Sequence, residues 1–125
     1  MVPLIKRLEP GAEYYFEEGC FITELSNSEQ DPAVSVARAR VPAGGTTRWH
    51  ALKGVVERYL IEAGQGEVEL GELPPQSVGP GDMVLIPAGC AQRIRNTGTE
   101  PLVFLAICSP RFQPDCYQDL EAEAG

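Results

Sequence analysis

The sequence is poor in positive charge. Its 125 residues include 10 lysines and arginines against 18 aspartates and glutamates, a formal net charge of -8 at pH 7. Nucleic acids and anionic membrane surfaces are bound mainly through clustered basic side chains, which displace counterions and pair with phosphates. The composition therefore argues against both partners and favours a small-molecule ligand or another protein.

Long hydrophobic runs are also missing. The longest apolar stretch covers residues 102–108, whereas a membrane-spanning helix needs about 20 apolar residues. Lys6, Arg7 and Glu9 interrupt the first apolar residues, which leaves no core for a signal peptide. We therefore expect a cytoplasmic protein with no membrane partner.

Cysteine and histidine are scarce. The four cysteines form neither a CxxC pair nor a knuckle spacing, so they predict no disulfide scaffold and no zinc knuckle. His50 is the single histidine of the chain. Any metal site that uses imidazole must therefore use His50.

Short alternating segments, separated by glycine and proline, make up most of the chain. Three segments alternate with a period of two, either between apolar and polar residues or between inward and outward positions, namely residues 33–41, 67–70 and 92–96. This period is typical of β-strands. Residues 71–82 contain three prolines and three glycines, which excludes a helix there. We predict one all-β domain over residues 1–125, an antiparallel sandwich or barrel with its core at about residues 20–110.

Two segments do not follow this alternation. Residues 102–108 are apolar on both faces, which is unusual for a strand with one side in water. A second copy of the chain is the commonest cover for such a face, so we expect a twofold homodimer. In the C-terminal tail, residues 111–125, we expect a turn of helix at residues 117–123 and a frayed end.

His50 and Glu57 lie seven residues apart in a segment that predicts two consecutive strands. Residues of equal parity share a strand face, so Arg48, His50 and Leu52 are expected on one face. Glu57 and Tyr59 are expected to share a face of the next strand. If the two strands lie side by side, the imidazole and the carboxylate converge at one interior point, which suits a divalent metal ion.

The spacing around these residues resembles the two motifs of the cupin superfamily, G(x)5HxH(x)3 or 4,E(x)6G and G(x)5PxG(x)2H(x)3N. The matching positions are Gly44, His50, Glu57, Gly64, Gly81, Pro87, Gly89 and Asn96. Leu52 and Gln92 replace two histidines of the family pattern. The resemblance implies a double-stranded jelly-roll β-barrel, a small sandwich whose cavity is lined by both motifs.

The resemblance also implies a divalent metal ion bound by His50, Glu57 and Gln92. One imidazole, one carboxylate and one amide favour manganese, iron(II) or zinc over copper. Gln92 has an alternative role as the hydrogen-bond partner of a buried backbone group. Cys90 has the parity to reach the cavity rim, where a thiolate would favour zinc, or it is a small buried hydrophobe.

Arg48 and Tyr59 are the candidate substrate-binding residues. Arg48 can clamp an anionic group with two hydrogen bonds, or it can form an ordinary ion pair. Tyr59 can orient a ligand or the Glu57 carboxylate, or it can be a core tyrosine.

Two classes of function follow from these residues. The first is a metal-dependent dioxygenase, isomerase or lyase that acts on a small anionic or hydroxylated metabolite. The second is a non-catalytic binding or sensor module whose metal site has degenerated, which Leu52 and Gln92 favour.

Overall fold

The computed structural model describes residues 1–121 as two antiparallel sheets packed face to face. The strands are β1 (Tyr14–Phe16), β2 (Cys20–Ser26), β3 (Ser35–Val41), β4 (His50–Leu52), β5 (Val56–Ala63), β6 (Gly66–Leu70), β7 (Gln76–Val78), β8 (Met83–Ile86), β9 (Gln92–Asn96), β10 (Leu102–Ser109) and β11 (Tyr117–Asp119). One sheet has the order β1-β2-β3-β10-β5-β8 and the other has the order β11-β4-β9-β6-β7. A short 3-10 helix, Pro114–Cys116, precedes β11.

This arrangement confirms the predicted all-β jelly-roll, in the form of a sandwich rather than a closed barrel. Alternate residues of the strands point inward and form one main core, in which Val41, Ile61, Ile94, Leu102 and Phe104 are at most 2% exposed. Within residues 1–121, no helix is long and apolar enough to cross a membrane.

The strands that carry His50 and Glu57 lie in opposite sheets and not side by side. β4 belongs to the five-stranded sheet and β5 to the six-stranded sheet. The chain crosses between the sheets within a few residues, at a turn that includes Gly54 with a φ of 73°. His50 and Glu57 therefore approach each other across the interior of the sandwich.

Both ends of the described chain contribute strands that the sequence did not predict. β1 pairs with β2 at one edge of the six-stranded sheet. β11 pairs with β4, placing Tyr117 opposite Leu52 and Asp119 opposite His50. The helical turn predicted at residues 117–123 is therefore wrong over residues 117–119. Residues 120 and 121 are helical, and the last two predicted positions lie outside the described residues. The tail closes the five-stranded sheet next to His50.

Candidate functional site

A cavity of about 70 Å³ lies over the inner face of the six-stranded sheet. Its polar lining includes Glu18, Glu24, Asn27, Ser35, Glu57 and Tyr59. Aromatic rings from both ends of the chain complete its walls. A water molecule needs only about 10 to 15 Å³ of such space, so the cavity can hold several waters or a small ligand.

Glu57, in β5, is a buried carboxyl group with one oxygen left unpaired. The residue is 8% exposed, and its Oε1 has no hydrogen-bond partner. Its Oε2 lies 3.6 Å from the Sγ of Cys108. Burial, reinforced by the nearby carboxyl of Glu18, raises the pKa of Glu57 to about 7, although His50, Gln92 and Cys108 act in the opposite direction. This carboxyl can therefore gain or lose a proton near neutral pH.

His50 contacts a second carboxyl, that of Glu18, which follows β1 and whose side chain is 13% exposed. The Nδ1 of His50 lies 2.6 Å from the carbonyl oxygen of Arg48. A carbonyl only accepts hydrogen bonds, so Nδ1 carries the proton and Nε2 is bare. Glu18 Oε1 lies 3.1 Å from this Nε2.

The pKa values of both groups favour a neutral pair. Burial lowers the pKa of His50 and raises the pKa of Glu18 to about 7. The protonated Glu18 carboxyl is then able to donate a hydrogen bond to the bare Nε2 of His50. Both groups lie near Glu57, whose pKa Glu18 raises and His50 lowers.

Gln92 and Tyr59 form the opposite side of this cluster. Gln92, in β9, lies opposite His50 in the sheet register and is 1% exposed. The Tyr59 hydroxyl donates a hydrogen bond of 2.6 Å to Gln92 Oε1. Gln92 Nε2 is buried without a partner. It lies close enough to Glu57 to lower that residue's pKa, yet no hydrogen bond of normal geometry joins the two. An unpaired donor and an unpaired acceptor therefore lie near each other.

Tyr117, in β11, completes the cluster from the C-terminal tail. Its ring stacks on that of His50 with centroids 5.1 Å apart, and its hydroxyl is buried without a partner. Burial and the nearby Glu18 raise its pKa, so it stays a neutral phenol. Glu18 and Tyr117 were missed by the sequence reasoning because both lie outside the two motifs. The single sequence contains no local signal that identifies either residue.

A family model described as a cupin domain matches residues 37–108. This match covers more than half of the chain and includes His50, Glu57 and Gln92. The chain belongs to the cupin family. A search of curated proteins found no match.

Solved structures of similar fold include enzymes of different kinds. A predicted oxalate decarboxylase from Thermotoga maritima is 27% identical over 73% of this cupin and 80% of that chain, with a TM-score of 0.67. The oxalate decarboxylase of Bacillus subtilis is 19% identical over 96% of this cupin but 33% of that chain, with a TM-score of 0.81. Streptomyces PAC13, described as a nucleoside dehydratase, is 15% identical over 93% of this cupin and 90% of that chain, with a TM-score of 0.75. The last two show a shared fold only.

Arg48 lies apart from the cluster in this cupin. Its side chain is 42% exposed, and its Nε donates to Asp119 Oδ2 at 2.9 Å, with Glu121 Oε2 at 3.5 Å. The parity argument fails for Arg48 because β4 begins only at His50. Its guanidinium holds the tail strand β11 in place, and its backbone carbonyl orients the His50 ring.

Leu52 and Cys90 also have structural positions. Leu52 is 3% exposed and packs in a small second core with Val55, Cys108 and Cys116. Cys90 is half-buried against the main core, and its Sγ lies 3.5 Å from the Ala91 carbonyl oxygen. The interpretation of Cys90 as a small packed side chain accounts for this position.

The donor atoms suit a divalent cation in type but are engaged with one another. The bare His50 Nε2, the Glu18 carboxyl and the unpaired Glu57 Oε1 are ligands that manganese, iron(II) or zinc accept. Gln92, however, turns its oxygen to Tyr59 and its NH2 group towards the cluster. Over residues 1–121, no three His, Cys, Asp or Glu side chains converge on a common metal position. Metal binding by His50, Glu57 and Gln92 stays a prediction.

Proposed function

We propose that this cupin binds a small hydroxylated molecule in the cavity and moves protons to and from it, as an isomerase or lyase does. The observation that carries the proposal is the cluster of Glu18, His50 and Glu57, in which two largely buried carboxyls have pKa values of about 7. A general acid or base works best when its pKa lies near the working pH. Two such groups can act as the acid and the base of one reaction.

The unpaired atoms assign a role to each residue. Glu57 Oε1 accepts a hydrogen bond from a ligand hydroxyl or takes its proton. Gln92 Nε2 donates a hydrogen bond to the oxygen of that ligand hydroxyl. Tyr59 fixes the orientation of the Gln92 amide. The Glu18–His50 pair stores the second proton. A hydroxyl group matches this set because it both donates and accepts, and it would satisfy two groups whose isolation costs about 1 to 3 kcal/mol each.

Proton transfer can be tested without knowledge of the substrate. We expect the wild-type protein, incubated in D2O with a panel of small hydroxylated carbonyl compounds, to incorporate deuterium into at least one of them or to eliminate water from it. Glu57→Gln should lower that rate by about 100-fold or more, the usual contribution of a general acid or base. NMR of the compounds measures both outcomes.

Glu72→Gln is the matched control, because Glu72 is an exposed carboxylate in the loop before β7. It should leave the exchange rate unchanged. Binding of a compound without exchange would support the sensor function instead. An exchange rate equal in wild type and Glu57→Gln would contradict the assignment of Glu57.

A metal-binding cupin of the dioxygenase, isomerase or lyase type is the second candidate. It is favoured by the tautomer of His50. The Nδ1 proton is donated to the backbone carbonyl of Arg48, which leaves Nε2 free of a proton and facing Glu18. His50, Glu18 and Glu57 would hold the ion, and Gln92 would join them only with its amide reversed. A bound divalent ion would supply Lewis-acid polarisation of a ligand oxygen.

Metal analysis separates the two candidates. After reconstitution with manganese, iron(II) or zinc and desalting, a metal-binding cupin retains about one equivalent of metal ion. His50→Ala should remove this metal ion, because the chain has no other imidazole. The proton-transfer proposal predicts instead that deuterium exchange survives treatment with a chelator. Loss of exchange on chelation and its return with one metal would replace the first proposal with the second.

We also propose that the protein is a homodimer that pairs through the outer face of its six-stranded sheet. In the register of that sheet, Leu105 of β10 lies opposite Leu60 of β5, and Leu60 lies opposite Met83 of β8. Met83 and Leu85 are 59% and 53% exposed on an edge strand. A row of apolar side chains that ends at an open sheet edge is a typical feature of a subunit interface.

Leu85→Glu should convert the dimer to a monomer, because burying an unpaired carboxylate in an interface is costly. Leu73→Glu is the control, since Leu73 is an apolar residue of similar exposure, 65%, in a loop; this variant should remain dimeric. Sedimentation velocity at micromolar concentrations measures both. A wild-type protein that is monomeric throughout that range would contradict the proposal.

A further inference from the structure

Among the described residues, the lining of the cavity contains acidic side chains but no basic ones. Glu18, Glu24 and Glu57 all contribute to its wall. Among the described residues that line it, there is no lysine, arginine or histidine. The anion clamp expected from the sequence, Arg48, pairs with Asp119 and does not line the cavity. An anionic ligand would therefore find no basic side chain in the described lining to pair with.

Aromatic rings form much of the remaining wall. Tyr14, Phe16, Tyr59, Phe104 and Phe112 line the cavity, and the rings of Tyr59 and Phe104 lie 4.3 Å apart. The faces of aromatic rings attract cations, and walls of several rings beside a carboxylate are typical of ammonium-binding sites. The lining thus combines the two features that stabilise an organic cation away from water.

A buried hydrogen-bond acceptor marks where the cationic group would lie. Glu57 lines the cavity, is 8% exposed, and leaves its Oε1 without a partner. A buried acceptor of this kind costs free energy until a donor reaches it. An ammonium group offers up to three N–H donors and positive charge at once.

We propose that the ligand of this cavity carries a small organic ammonium group, which donates a hydrogen bond to Glu57 Oε1 while its carbon chain packs against the aromatic rings. The inference rests on the proposed function only in taking this cavity as the ligand site. It names the chemical class of the ligand, replaces the anionic group expected from the sequence, and gives Glu57 Oε1 an ammonium N–H donor where the proposed function has a hydroxyl. Glu24 is an exposed residue of the cavity lining and adds a further carboxylate to it.

Three probes of equal chain length test this assignment: propylammonium, 1-propanol and propionate. They differ in charge but little in size, so a difference in affinity reports the charge preference of the cavity. Binding is measured at pH 7.5 from chemical-shift changes in the protein's amide spectrum. We expect propylammonium to bind at least about tenfold more tightly than the other two, as a single charge-assisted hydrogen bond predicts.

Glu57→Gln should weaken propylammonium binding by about tenfold while changing propanol binding little. Glu72→Gln removes the same charge from an exposed loop and should change neither affinity more than about twofold if only surface electrostatics is altered. An unchanged propylammonium affinity in Glu57→Gln would overturn the proposal, since the ammonium group would then lie elsewhere.

Other results would overturn the inference without touching the proposed proton transfer. Tighter binding of propanol or propionate than of propylammonium would show that the cavity does not select cations, while deuterium exchange by Glu57 could still occur. Propionate binding that requires added manganese, iron(II) or zinc would also overturn it, because a metal ion would then supply the positive charge. Equal, weak shifts for all three probes would show that the acidic lining confers no selectivity.

Discussion

Replacing Glu57 by glutamine is expected to stabilise the folded protein at pH 8 by about 2 to 3 kcal/mol, and to change its stability little at pH 5. The pKa of Glu57 rises from its ordinary 4.5 to about 7 on folding. Since each pKa unit corresponds to about 1.4 kcal/mol, ionising this carboxyl in the interior costs several kcal/mol more than in the unfolded chain. Glutamine keeps the shape and cannot ionise.

The sign of the pH dependence follows from which state binds the proton more tightly. Below about pH 4.5, Glu57 is protonated in both the folded and the unfolded state. Its contribution to the stability of the folded state is then fully present. Between pH 4.5 and 7 the folded state holds more protons than the unfolded state, so stability falls as the pH rises. The loss is complete once the pH has passed the folded-state pKa of about 7.

Urea unfolding of chelator-treated wild type, Glu57→Gln and Glu72→Gln at pH 5 and pH 8 measures the difference. The chelator removes any metal ion that would favour the ionised carboxylate. Glu72→Gln should follow the wild type at both pH values, because Glu72 is exposed. A Glu57→Gln variant less stable than wild type at pH 8 would mean that the ionised carboxylate is paired and useful to the fold.

Gly64→Ala is expected to destabilise the protein by about 3 kcal/mol or more, through backbone strain and steric overlap together. Gly64 has a φ of 87°, in the left-handed region. A Cβ at this position would lie 2.6 Å from the Pro101 carbonyl oxygen and 2.8 Å from the Leu102 Cα. Both are backbone atoms that lead into the central strand β10, so relieving the overlap would require a displacement of that strand.

Gly44→Ala separates the two causes of that loss. Gly44 has a φ of 79°, but a Cβ there would meet nothing within 4 Å. It should therefore cost only the left-handed penalty of about 1 to 2 kcal/mol. Urea unfolding of both variants provides the comparison, and equal losses would show that the approach of residues 101 and 102 to the turn is not tight.

Strand positions were predictable because alternation and turn residues are local signals. The bounds of β9 (Gln92–Asn96) agree with the alternating segment, and β3 (Ser35–Val41) falls within residues 33–41. The assignment of β4 and β5 to opposite sheets was not predictable from parity, which gives the face of a strand but not its partner. β11 was missed because three residues next to an acidic tail carry no periodic pattern.

The cluster was predictable only as far as the motifs reach. His50, Glu57 and Gln92 come together, with Tyr59 bonded to Gln92. Glu18 and Tyr117 join through contacts between segments that are distant in the sequence, for which the single sequence contains no signal. Arg48 was misplaced because parity was applied beyond the start of the strand.

Direct titration of the side-chain carboxyl carbons by NMR tests the central claim, that Glu18 and Glu57 form a proton-transfer pair around His50. In ligand-free, chelator-treated protein, two carboxyl resonances should titrate near pH 7. One of the two should disappear in Glu57→Gln and the other in Glu18→Gln. If every carboxyl titrates within about one unit of 4.5, the usual spread for carboxylates in proteins, the cluster is solvated and the account is contradicted.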